Sequence, residues 1–373
     1  MDPTVSIERC RDYEPDQVAR AVHRLLDTLG GITRFVQKGQ TVLLKPNMLS
    51  AKDPGRGITT HPMVLEAMVR EVQSAGGNVL IGDSPSGALQ GVKRCWENTG
   101  FLRVAEKTGS KLVNFEADGS VLMERNGRKY HIARAVMESD VIINLPKFKT
   151  HGFTLYTGAI KNLYGTLPGF QKARFHKALP HPDKFSQIPV DLYHLVRPAL
   201  HLMDGILGME GNGPATGELR DVGLLLASTD GVALDAVASA LMGFRPGEID
   251  AIRLASLESL GEARLDRIRI IPEPLEQFRL SEFHLPSNRL MKFVPLFLVN
   301  WVGKFLWVRP RSDYDKCTGC AVCATGCPVQ AIQMVDGKPV MDYHLCINCL
   351  CCNESCPENA IYQELSWLAK QFS

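Results

Sequence analysis

Apolar runs of strand length alternate along the chain with longer stretches in which apolar positions recur every three to four residues. Residues 41–45 (TVLLK) read as a buried strand that Pro46-Asn47 ends. Residues 62–76 have helical spacing, with Pro62 in the first turn, where its missing N–H costs nothing. Residues 78–85 (NVLIGDSP) give a strand and a turn, 88–109 one or two helices around Gly100, and 111–115 (KLVNF) another strand. Residues 120–132 (SVLMERNGRKYHI) predict a hairpin centred on Asn126-Gly127, a pair suited to the positive φ values of a two-residue turn. Residues 140–146 (DVIINLP) form the next buried strand, and a helix is expected to begin within 155–163. Strands follow at 199–205 and 222–228, helices at 230–243 and 246–261, and a last strand at 267–271. This alternation predicts an α/β fold, a mostly parallel, doubly wound sheet with flanking helices, spanning residues 1–285.

The pattern changes at 286–312 (PSNRLMKFVPLFLVNWVGKFLWVRPRS), where aromatic and basic residues intermingle. A membrane-spanning helix needs about 20 nearly uncharged apolar residues. Lys292, Pro295, Asn300 and Lys304 interrupt this window, so no span is expected. The segment reads as a connector packed between domains, with peripheral membrane contact or partner docking as the alternative.

Composition adds limits. Apolar residues make up 45% of the 373 and charged residues 22%, as in a globular protein with a substantial core. The 42 Lys and Arg nearly balance 40 Asp and Glu, which argues against a dedicated nucleic-acid binder. The first residues, MDPTVSIERCRDYEPDQ, lack the basic and apolar regions of a signal peptide, and a cytoplasmic location is expected.

Nine of the eleven cysteines lie between 317 and 356. Residues 317–328 (CTGCAVCATGCP) and 346–357 (CINCLCCNESCP) are two copies of C-x-x-C-x-x-C-x-x-x-C-P, offset by 29 residues. This is the pattern of bacterial two-cluster ferredoxins, in which the fourth cysteine of each run serves the other cluster. One [4Fe–4S] cluster is assigned Cys317, Cys320, Cys323 and Cys356, the other Cys346, Cys349, Cys352 and Cys327. A zinc site takes only four ligands and does not account for a duplicated set. Cys351 falls outside the pattern and reads as a small packing residue, with redox reactivity as the alternative. Residues 313–373 are expected to form a small α+β ferredoxin-type domain with a C-terminal helix.

Chemistry-bearing residues of the α/β region gather after the predicted strands: Lys45 and Asn47, Asp83 and Ser84, Lys147, Lys149 and His151, then Asp204, Glu210 and Asn212. Ligands of open α/β sheets bind outside the carboxyl ends of the strands. Lys45, Lys147, Lys149 and Lys161, with Asn162, are therefore candidates for one anion-binding rim, and His151 for proton transfer near neutral pH. Asp83, Asp204 and Glu210 are candidates to bind hydroxyls, position the lysines or hold a divalent cation. The glycines of GMEGNGPATG and KNLYGTLPG let backbone approach a ligand closely. Each has a structural alternative: a solvated lysine, a turn at Asp204-Gly205, a helix cap at Asp230. No G-x-G-x-x-G or Walker sequence supports a nucleotide site.

The order LLKPN, T-x-HP, IGDSP, VIINLPKFKTH, GAIKNLYG, DGI-x-x-MEGNGP-x-x-G and VALDAVA resembles the domain-of-unknown-function 362 family (DUF362), and specifically members fused to a C-terminal two-cluster ferredoxin. The resemblance covers residues 40–245 and 313–362. It implies an iron–sulfur redox protein with a ligand site, and supplies no substrate.

The resulting expectation is an iron–sulfur oxidoreductase passing single electrons from a soluble protein partner through two clusters to an anionic substrate, or a bound organic redox cofactor, in the α/β cleft. Two alternatives stand beside it. One is a ferredoxin-like carrier whose α/β domain docks a partner. The other is a metal-dependent hydrolase or transferase with structural clusters, motivated by Asp83, Asp204, Glu210 and Asp230.

Overall fold

A computed structural model describes residues 2–86, 91–179, 181–272, 274–286 and 307–367. The α/β region contains β1 (Thr4–Arg9), β2 (Thr41–Pro46), β3 (Asn78–Gly82), β4 (Lys111–Val113), β5 (Ser120–Arg125), β6 (Arg128–Ala133), β7 (Val141–Leu145), β8 (Lys147–His151), β9 (Leu155–Thr157), β10 (Leu200–Glu210), β11 (Glu218–Ser228) and β12 (Arg269–Ile271). Ten of these form one sheet in the order β12-β1-β11-β10-β7-β2-β3-β4, with β8 beside β10 and β9 beside β8. Pairing is parallel through β10-β7-β2-β3-β4, and antiparallel where β11 lies between β1 and β10.

Both faces of the sheet are covered, so its central strands are apolar on both sides. In β2, Val42 and Leu44 pack with the helices Pro15–Thr28 and Pro62–Ser74, while Leu43 points into the opposite layer. That layer holds the helices Gln187–Val196, Gly231–Leu241 and Asp250–Leu257. The helix Pro62–Ser74 begins as its sequence requires: Pro62 needs no N–H partner and the His61 ring accepts from Met63 N. Its Val64, Leu65, Met68, Val69 and Val72 are fully buried, each worth about 1.5–3 kcal/mol. The hairpin β5-β6 turns at Asn126 and Gly127, with φ of 49° and 70°.

Three differences from the sequence reading stand out. The sequence reading assigns no element before residue 41, yet Val5 and Ile7 place β1 within the sheet, and a helix follows it. The stretch 155–163 opens with strand β9, and its helix is confined to Ala159–Asn162. Most of the connector proposed for 286–312 and most of the expected C-terminal helix lie outside the described residues.

The strand order places a switch point at β2. The chain moves from β2 through β3 to β4 on one side, then returns to the other side at β7. A crevice opens at the carboxyl ends of strands that diverge in this way. The remaining strands are β13 (Val308–Ser312), paired antiparallel with β16 (Ile361–Leu365), and β14 (Ile332–Val335), paired with β15 (Lys338–Met341). Between them lie two short helices, Val322–Thr325 and Cys351–Ser355. Their loops repeat the same backbone twist: Gly319, Ala321 and Gln330 have positive φ, as do Asn348, Leu350 and Asn359, their counterparts 29 positions on.

Candidate functional site

The two cysteine sets fold apart. Cys317, Cys320, Cys323 and Cys356 line one small cavity; Cys327, Cys346, Cys349 and Cys352 line another. None of these cysteines forms a disulfide. Backbone N–H groups already point at three of the sulfurs: Gly319 at Cys317 (3.4 Å), Ala331 at Cys327 (3.2 Å) and Ala360 at Cys356 (3.2 Å). Such donors stabilise a charged sulfur ligand. Among the described residues no three cysteine sulfurs converge within 4.8 Å of one another. A single tetrahedral zinc at about 2.3 Å from each sulfur would bring them closer than that. Four cysteines around each cavity are the donor set that a [4Fe–4S] cluster takes.

At the switch point, asparagines tie the strand ends together. Asn144 Nδ2 donates to Ala159 O (2.9 Å) and Asn162 Nδ2 to Asn144 Oδ1 (2.7 Å), while Asn47 Nδ2 donates to Asn162 Oδ1 (2.9 Å). The helix Ala159–Asn162 is thereby fixed over the ends of β2 and β7. Below it, fully buried Lys45 donates to Asp83 Oδ1 at 2.8 Å, and Asp83 Oδ2 accepts from Met48 N at 2.7 Å. Gly165 passes so close that a Cβ there would lie 1.9 Å from Asp83 Oδ1.

A half-open cavity of about 90 Å³ lies over these ends, room for several waters at roughly 10–15 Å³ each. Its α/β wall includes Asn47, Asp83, Ser84, Lys149, Lys161 and Asn162, all legible as candidates in the sequence. Its other wall is the helix Cys351–Ser355 of the cysteine domain, through Cys351, Glu354 and Ser355. The site is therefore shared by the two parts of the chain, and Cys351 sits between the ligand candidates Cys349 and Cys352.

Other candidates go elsewhere. Lys147 and Asp204 form a sealed pair at 2.7 Å that Tyr13 completes, bonding to both. Their side chains do not line the cavity. His151 is fully buried outside the lining. Its Nδ1 accepts from Phe153 N at 2.9 Å and its Nε2 lies 3.4 Å from Glu354 Oε1, so it positions that carboxylate rather than meeting a ligand. Glu210 lies near Arg220 and His284. Asn212 contributes its backbone carbonyl to Gln363 Nε2 at 2.9 Å. Asp230 caps the helix Gly231–Leu241. The carboxylates that motivated a hydrolytic metal site thus do not converge.

Sequence reasoning missed Glu116, Tyr164, Lys172 and His176 in the lining. Lys172 and His176 share one face of the helix Gln171–Ala178 at i,i+4 spacing, a signal present in QKARFHKA.

Residues 42–240, more than half of the chain, match the family described as Domain of unknown function (DUF362). The chain belongs to the DUF362 family. Residues 309–357 match the 4Fe-4S dicluster domain, so the DUF362 domain is followed by an iron–sulfur domain of ferredoxin type. A thylakoid-associated protein of Synechocystis sp. is 37% identical over 263 residues, covering 70% of this chain and 80% of that protein. The lactate racemase apoprotein from Thermoanaerobacterium thermosaccharolyticum aligns with 12% identity and a TM-score of 0.42, over 64% of this chain and 57% of the racemase. Among the described residues, no helix is long and apolar enough to cross a membrane.

Electrostatics divide the DUF362 cations. Burial, then the neighbouring Lys161, pulls the Lys149 ammonium down to about 7; it donates to Ile58 O (2.7 Å) and Asn47 Oδ1 (3.2 Å). Burial lowers Lys172 to about 8, against the pull of Glu116, and its ammonium is held by Ser84 and by the Pro85 carbonyl. Lys161 is also lowered by burial, while Glu354 opposes the shift. Its ammonium lies 5.9 Å from the Tyr164 ring centroid and makes no hydrogen bond among the described residues. Burial raises the Glu354 carboxyl, but His151 and Lys161 outweigh it and hold the group at about 2. His176 stacks on Phe185 at 4.2 Å, and burial lowers it to about 3. Its Nδ1 is buried without a partner. The DUF362 side of the cavity thus offers one uncommitted ammonium and a neutral imidazole with unused hydrogen-bonding capacity.

Proposed function

We propose that the chain is an oxidoreductase in which two [4Fe–4S] clusters exchange single electrons with a compact anion held between the DUF362 and iron–sulfur domains. One observation carries this reading: a cavity that presents Lys161 on one wall has Cys351, immediately beside cluster-ligand candidate Cys352, on the other. When bound, the clusters supply electrons one at a time at the cavity's edge. The chain's own residues do the rest. Lys161 receives the charged end of the ligand, Lys149 adds a second cation at and below neutral pH, and the His176 imidazole offers a hydrogen bond. Asp83, Glu116 and Glu354 also line the space, which disfavours a dianion such as phosphate and favours a monocarboxylate. A soluble redox protein is the partner that a ferredoxin-type domain calls for. The location we propose is the cytoplasm, with a membrane-associated site as the alternative that the name of the thylakoid-associated Synechocystis relative suggests.

The test begins with anaerobic purification and iron and sulfide analysis, where two cubanes require about eight irons per chain. The reduced protein is then titrated with acetate, benzoate and phosphate while its electron paramagnetic resonance spectrum is recorded. A saturable change with a monocarboxylate, lost in Lys161→Met with iron content intact, supports the site. Spectra indifferent to every anion, with no small molecule released on denaturation, would defeat the cavity reading and leave an electron carrier.

A further inference from the structure

Lys52 belongs to the loop after β2, yet its side chain leaves the DUF362 domain. It is only 4% exposed. Its ammonium donates to Cys356 O (2.5 Å), Pro357 O (3.0 Å) and Asn359 Oδ1 (2.5 Å). Cys356 is the distant fourth member of the set completed by Cys317, Cys320 and Cys323. A buried cation from one domain thus lies against the ligand loop of a cluster in the other.

The internal repeat supplies a comparison, because the Lys161 ammonium near the second set faces the cavity, where Glu354 offsets it. The internal repeat maps Cys356, Pro357 and Asn359 onto Cys327, Pro328 and Gln330, 29 positions earlier. Among the described residues, no side-chain cation bonds to the Cys327 or Pro328 carbonyls. A second lysine reinforces the asymmetry: Lys338 Nζ donates to Cys317 O at 2.7 Å, again on the first set. Lys338 is more exposed than Lys52, so water and salt screen it more. The nearby Arg94–Glu358 pair (3.5 Å) largely cancels itself at the surface.

Adding an electron to a cluster adds negative charge. A buried ammonium stabilises the reduced form more than the oxidised one, and does so more strongly away from water. We propose that Lys52 raises the reduction potential of the cluster held by Cys317, Cys320, Cys323 and Cys356 above that of the cluster beside the cavity. Lys52 is a positioning residue that acts through the ligand loop and touches no substrate. The DUF362 domain thereby ranks the two clusters: an electron rests on the set remote from Cys351, and the set bordering the cavity is the stronger reductant. This inference rests on the two-cluster reading, which iron content tests separately.

The experiment is a potentiometric titration of the full-length, anaerobically loaded protein, followed by electron paramagnetic resonance. Cys320→Ser, at the exposed cysteine of the first set, marks which signal belongs to it. Lys52→Met is expected to lower that midpoint enough to change the electron partition between clusters about tenfold, which is about 59 mV for one electron. The other midpoint should stay in place, and Lys52→Arg should retain the wild-type order. Unmoved midpoints in a fully loaded Lys52→Met protein, or equal shifts in both, overturn the proposal. If Lys52→Met fails to hold iron, the wild-type order decides: a lower midpoint for the first set overturns the proposal, and a higher one preserved in Lys52→Arg upholds it. About four irons per chain would instead refute the two-cluster reading beneath it.

Discussion

Lys147 and Lys161 lie fourteen positions apart and carry the same formal charge, yet their surroundings give them different tasks. Lys147 neutralises buried Asp204 with Tyr13 in attendance. Lys147→Met strands that carboxylate in the interior and should cost about 3–5 kcal/mol, seen as a large fall in melting temperature. Lys161 makes no direct ion pair among the described residues, so Lys161→Met should cost much less; its effect belongs in an anion titration. Lys149 brings a pH dependence. Its ammonium titrates near 7, against an ordinary 10.5, because burial and Lys161 disfavour the charge. Anion affinity should therefore fall as pH rises through about 7, by calorimetry in buffers of matched ionic strength. The stability effect has the opposite slope. Between 7 and 10.5 the unfolded chain holds a proton that the folded chain has lost, so Lys149 makes the fold more stable as pH rises across that window.

At the scale of elements, close backbone approach matters more than sequence distance. The segment from Ala159 to Thr166 seats itself on β2 and β3 because Gly165 leaves no side chain between it and the Lys45–Asp83 pair. Gly165→Ala should displace that pair, lowering the melting temperature and weakening anion binding together. Gly247→Ala meets nothing within 4 Å and should leave both unchanged. Strands were easy to read from sequence where both sheet faces are covered, since β2, β7 and β10 are buried almost throughout and each carries consecutive apolar residues. β1 was harder: only alternate residues of TVSIER are apolar, and its charged flank reads as solvent-exposed chain. β9 was hidden for another reason. Leu155 adopts a positive φ of 67°, a conformation that leucine's own preferences do not announce.

For the whole molecule, the cysteine spacing grouped the eight cysteines in the same two sets that line the two small cavities. The cavity was only half legible. Strand-end residues pointed to its floor, but Cys351 and Glu354 reach it by domain packing, which no local pattern encodes. Among the described residues, the polar ties in that packing include Lys52 to the Cys356 loop, Arg94 to Glu358, His151 to Glu354, and Gln363 to the carbonyls of Asn212 and Gly213. The helix Cys351–Ser355 contains Cys352, so its order should depend on a bound cluster. Iron removal by anaerobic chelation should therefore abolish anion binding, with the DUF362 domain still cooperatively folded by calorimetry. Retained affinity in the iron-free protein would mean that the α/β wall suffices.

The shared wall also bears on how such a protein can be rebuilt. A cavity with one side in each domain makes the fusion more than a tether. A chimera carrying a foreign two-cluster module could still relay electrons, but without Cys351 and Glu354 at their positions it would present a different surface to the anion. The boundary between the halves is then itself a specificity element, and substitutions on either bank have to be matched across the seam.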